Sequence, residues 1–69
     1  MPLTFATPGE KKTIRRIGGN NQIRLHLENL GFVTGTPIVI VAAIGGNIIV
    51  NIKGARIAIS REMANKIDI

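Results

Sequence analysis

Between Ile23 and Val41 a helical repeat runs into a glycine stop, turns, and re-emerges as a β-branched strand, and this order of signals constrains the fold more than any other feature. Ile23, Leu27 and Leu30 fall on one face of a helical wheel, with His26 beside them and Arg24, Glu28 and Asn29 spread over the rest. Leu25 points nearly opposite the apolar stripe. Gly31 stands where a left-handed residue ends a helix, and Phe32 can fold back onto the last turn. The chain then turns through Val33-Thr34-Gly35-Thr36-Pro37 and enters a strand at Ile38.

Downstream, Ile38 to Ile44 and Ile48 to Lys53 are β-branched runs separated by Gly45-Gly46-Asn47, which predicts a hairpin. Gly54-Ala55 turns again into Arg56-Ile57-Ala58-Ile59, so the centre of the chain is predicted to be a three-stranded meander. Ser60 is positioned to cap a short helix over Arg61 to Lys66, with Glu62 in the first turn and Met63 and Ile67 on one face. Ile67-Asp68-Ile69 can return as an edge strand. Upstream, Pro2 to Gly9 reads as a leading arm that ends in Thr7-Pro8-Gly9 turn chemistry. Lys11 to Ile17 reads as a strand, and the three-residue spacing of Ile14 and Ile17 calls for a bulge or bend between them. Gly18-Gly19-Asn20-Asn21 breaks that strand and offers asparagine as a helix N-cap.

Five strand candidates, two short helices and a bend predict a mainly β chain, a small partly open barrel of SH3-like type over residues 1–69, with an OB barrel as the other usual choice. So small a barrel cannot bury both faces of a strand. Val39, Val41 and Ile49 are as apolar as their neighbours, and need cover from the helices, the arm or another molecule.

Charge and residue usage narrow the chemistry. A net charge of +5 raises nucleic acid or an acidic protein surface as partners, yet the cations are scattered and only Phe5 and Phe32 could stack on bases. The chain has no cysteine, one histidine and four separated acids. No carboxylate pair, nucleophile with a base, or set of metal ligands emerges from that inventory, so no enzyme, cofactor or metal site is expected. His26 reads as a partly buried residue on the helix flank, Ser60 as a cap and Met63 as core. The glycine pairs lack the context of a phosphate-binding loop and read as turns. Pro37 to Val50 falls short of the roughly 20 apolar residues a membrane helix needs, and Met1-Pro2-Leu3-Thr4 does not begin a signal peptide, which leaves the cytoplasm as the expected compartment.

The pattern Arg24-x-x-Leu27-x-x-Leu30-Gly31-Phe32-x-x-Gly35-Thr36-Pro37-Ile38-x-Ile40, preceded by Pro8-Gly9-Glu10 and Gly18-Gly19, resembles the FeoA family, small accessory proteins of bacterial ferrous-iron uptake. The similarity continues through Ile48 to Gly54, Ala55 to Ile59 and the terminal Ala64-x-x-Ile67-x-Ile69. It implies an SH3-like barrel related to the C-terminal domain of DtxR-type metal-dependent repressors. It further implies a non-enzymatic protein that binds and assists or regulates FeoB, the membrane permease with a cytosolic GTP-binding domain, and that can be recruited by it to the inner face of the membrane.

The surface expected to meet that partner comprises Arg24, Leu25, Gly31, Phe32, Val33, Thr34, Gly35 and Thr36. Arg24 would be the arginine supplied in trans if GTP hydrolysis were stimulated. Alternatives are a small barrel binding RNA or DNA, an isolated domain like that of DtxR-type repressors, and self-assembly through strand edges or the spare β-branched face.

Overall fold

A computed structural model describes residues 1–69. After a 3₁₀ turn at Leu3–Phe5 the elements are β1 (Lys11–Thr13), β2 (Arg16–Ile17), α1 (Asn21–Asn29), β3 (Pro37–Ile44), β4 (Asn47–Ile52), β5 (Ala55–Ser60), α2 (Arg61–Ala64) and β6 (Ile67–Asp68). Strands β1, β3, β4 and β5 form one antiparallel sheet in that order, and β2 pairs with β6 in a second. Together they make the mainly β, two-helix barrel of SH3-like type that the sequence predicts.

The predicted meander is present as β3-β4-β5, extended by β1 at one edge. Its inner face is a ladder of branched side chains: Ile38 faces Ile52, Ile40 faces Val50, and Ile48 faces Ile59, all six buried. The register of β3 and β4 shifts between Ile40 and Ala42, a bulge that bends the long hairpin around the core. The surplus apolar residues Val39, Val41 and Ile49 are half-buried on the other side.

The segment read as a single bent strand from Lys11 to Ile17 is two strands in different sheets. Ile14 is the pivot: its amide donates to the Thr36 carbonyl at 3.0 Å and its carbonyl accepts the Gly35 amide at 2.7 Å. One residue later Arg15 donates to the Asp68 carbonyl at 2.7 Å, so the chain has changed sheets within two residues. The Ile14 side chain is buried in the core, which is why Ile14 and Ile17 do not follow a strand period.

The leading arm is part of the barrel. Leu3 is fully buried, Pro2 bridges to Asp68, and the backbone of Met1 bonds that of Ile69 in both directions. α1 begins two residues earlier than read, because Asn20 is the cap: its side-chain oxygen accepts from the Ile23 amide at 2.9 Å. Ser60 caps α2 as expected, accepting from the Met63 amide at 3.2 Å. α2 is one turn long and stops short of the expected Lys66, because Ile67 must leave it to pair with Ile17.

Candidate partner interface

α1 buries Leu27 completely and packs Ile23 and Leu30 against the core, as the wheel predicts. Its opposite face carries Asn21, Arg24, Leu25 and Glu28, at spacings that place them side by side. These residues line a shallow, open depression of about 270 Å³. Leu25 is 59% exposed there, one of the most exposed large apolar side chains in the chain. Around it stand an amide, a guanidinium and a carboxylate. Neither Arg24 nor Glu28 is engaged in an ion pair, the pairs present being Met1 with Asp68 and Lys12 with Glu10. The arrangement offers an apolar contact ringed by groups able to donate and accept hydrogen bonds, the usual composition of a small protein contact.

The turn after α1 is built by its glycines. Gly31 has φ +103, and the Phe32 amide then reaches back to the Leu27 carbonyl at 2.9 Å. Phe32 is 0% exposed, so of the residues expected at the interface it is the one whose side chain belongs to the core. Val33, Thr34 and Gly35 are exposed and Thr36 is half-buried, closed into a turn by the Thr36 amide donating to the Val33 carbonyl at 3.0 Å. None of Gly31 to Thr36 lines the α1 depression. The structure thus joins Arg24 to Leu25 but leaves the turn as a separate exposed feature. Asn21 and Glu28 were not singled out from sequence, although the same wheel that isolates Leu25 places them beside it.

Other candidates resolve locally. His26 is exposed, where a half-buried flank position was expected. No three His, Asp or Glu side chains gather into a set able to hold a metal ion. Gly18 donates to the Lys66 carbonyl at 2.6 Å and Gly46 accepts from Arg61 at 2.9 Å; the first glycine pair connects β2 to α1 and the second turns β3 into β4. No helix is long and apolar enough to cross a membrane.

Glu10 has the most specific electrostatic environment. Its carboxylate accepts from the Thr7 amide at 2.6 Å and the Thr7 hydroxyl at 2.7 Å, and Lys12 lies 3.4 Å away. These contacts, the Thr7 amide foremost, hold its pKa down to about 2. The carboxylate thereby locks the Thr7-to-Glu10 turn ahead of β1, a structural task.

The whole chain, residues 1–69, matches the family model described as FeoA domain. A protein of Methanocaldococcus jannaschii provisionally named Fe(2+) transport protein A is 32% identical over 66 residues, covering 96% of this chain and 80% of that protein. The crystal structure of an iron uptake regulatory protein, FeoA, superposes with a TM-score of 0.88 at 30% identity, covering 96% of this chain and 88% of that one. The fold recurs in a manganese-dependent transcriptional repressor, with a TM-score of 0.89 at 21% identity over 97% of this chain and 39% of the repressor.

Proposed function

The chain belongs to the FeoA family, and from that premise we propose that it is a non-enzymatic cytosolic adaptor of ferrous-iron uptake that binds the cytosolic part of FeoB. The proposed contact is the Arg24-Leu25 face of α1, with Val33 to Thr36 as a second point of contact and Gly31 and Phe32 holding the turn in place. The observation that carries this reading is Leu25, left 59% exposed in a depression whose other lining groups are polar. A leucine there contributes nothing to the barrel core, whereas desolvating it against a partner is favourable by about 25 cal/mol per Å² of apolar surface.

Nucleic-acid binding is the weaker reading. One of the two aromatic residues that could stack on bases, Phe32, is buried in the core, which leaves Phe5 alone. The likeness to the manganese-dependent repressor, at 21% identity, speaks only to fold.

Co-purification with the cytosolic part of FeoB tests the assignment. Wild type is retained, and Leu25→Glu, which alters only an exposed side chain and stays folded by circular dichroism, is lost from the complex. Undiminished retention of a folded Leu25→Glu protein would sink the surface assignment. Unimpaired ferrous uptake after deletion of the gene would sink the functional one.

A further inference from the structure

β5 is an open edge of the four-stranded sheet. The two-residue turn Lys53-Gly54 sets its hydrogen-bonding phase: Ile52 and Ala55 flank the turn as a bonded pair, so Ile57 and Ile59 also direct their amides and carbonyls toward β4. The Arg61 amide, which donates to Gly46 at 2.9 Å, continues the same alternation. Arg56 and Ala58 therefore aim their amides and carbonyls away from the sheet. Neither enters any turn, loop or side-chain hydrogen bond. Ala55, Arg56, Ala58 and Ser60 are all exposed.

Edges of this length are usually blunted by a proline, a bulge or an inward-pointing charge. β5 has none of these, and its register with β4 is uninterrupted from Ala55 to Ser60. What it has is charge of one sign. Lys53 and Arg61 bracket the strand, Arg56 lies within it, and none of the three is in an ion pair. From Asn29 to Arg61 the chain contains no Asp or Glu at all. Arg56 and Ala58 share the outer face, and on the inner face between them Ile57 is only half-buried, an apolar side chain left partly open beside the edge.

We propose that the β5 edge is a docking site for an extended acidic segment of a partner protein, added to the sheet as a further strand. Its main chain would bond Arg56 and Ala58, its carboxylates would lie on the outer face with Arg56 and between Lys53 and Arg61 at the strand's two ends, and its alternate apolar side chains would lie on the inner face beside Ile57. A second copy of this chain is disfavoured by the same features. Pairing β5 with its own copy about Ala58 sets Arg56 opposite Ser60 and beside Arg61 of the other copy, concentrating cations at both ends of a contact between two chains of net charge +5. The site is remote in sequence from the Arg24-Leu25 face and does not rest on the function proposed for it.

The test is a titration of the isotopically labelled full chain, followed by amide resonances. The probes are a short blocked peptide of alternating Glu and Val, its Lys-for-Glu counterpart, and an acidic version N-methylated at alternate residues. The acidic peptide is expected to shift Lys53 to Arg61 and slow amide exchange at Arg56 and Ala58, leaving Leu25 unmoved, while the other two do not bind. Arg56→Glu, an exposed change, weakens acidic-peptide binding about tenfold, and added salt weakens it further. Any of four results overturns the proposal: no shift with the acidic peptide, equal binding of the lysine peptide, equal binding of the N-methylated peptide, or shifts centred on α1. Shifts at β5 that grow with protein concentration alone overturn it in favour of self-pairing.

Discussion

The amide of Phe32 donates to the carbonyl of Leu27 at 2.9 Å, and the side chains of both residues are fully buried. This one relationship ends α1, anchors it to the barrel and leaves Leu25, two residues before Leu27, facing solvent. Truncating the ring in Phe32→Ala removes a large core side chain and is expected to cost about 3–5 kcal/mol, enough to unfold much of a domain this small. Leu25→Ala on the same helix should change stability by less than about 0.5 kcal/mol. Thermal melts of the two variants check both.

Gly31 makes the reversal between Leu27 and Phe32 feasible. With φ +103 it occupies a conformation that L side chains rarely adopt, while a Cβ there would meet only Ile52 Cδ1, at an ordinary 3.9 Å. Gly31→Ala is therefore expected to destabilise through backbone strain and not collision, by about 1–2 kcal/mol. Shortening the Ile52 side chain in a Gly31→Ala, Ile52→Val double variant should recover none of that cost. Partial rescue in chemical denaturation would instead show that the collision matters.

The two caps should act independently. Asn20→Ala and Ser60→Ala each remove an acceptor from an exposed first-turn amide, at 2.9 and 3.2 Å, and each should cost about 1 kcal/mol. They sit on different helices and share no partner, so the double variant should show the sum. Denaturant midpoints of the three variants measure it.

Glu10 predicts an acid limb. Its pKa is lowered from 4.5 to about 2, chiefly by the Thr7 amide, then by the Thr7 hydroxyl, with Lys12 adding to the effect. A depressed carboxylate stabilises the fold fully above its unfolded value, so this contribution is present above about 4.5 and fades as pH falls toward 2. Melting temperatures between these limits should fall less steeply for Glu10→Gln than for wild type. Identical slopes would show that the turn does not hold this carboxylate ionised.

The candidate site was legible to the extent that it follows helical geometry. A wheel isolates Leu25 from Ile23, Leu27 and Leu30, and the same wheel brings Asn21 and Glu28 to it. What it cannot show is that Val33 to Thr36, next in sequence, line no common depression with Arg24, or that Phe32 turns inward. Those depend on how the turn docks against Ile14, more than fifteen residues earlier in the chain. The open β5 edge is likewise invisible to local patterns, since an alternating strand reads the same whether or not a neighbour pairs with its far side.

By itself, the sequence determined the elements whose causes are local: the meander, from β-branched runs cut by two short glycine turns, and both helices, from their caps and the glycine after the first. Tertiary structure alone decided that Ile14 is a pivot between two sheets, that the leading arm lays Leu3 into the core, and that Met1 meets Ile69. The physical reason is range. A cap or a glycine turn draws its free energy from residues within four positions, so its pattern is written where it acts. The pairing of the two ends joins residues 68 apart and draws its free energy from a core that exists only once the barrel has formed.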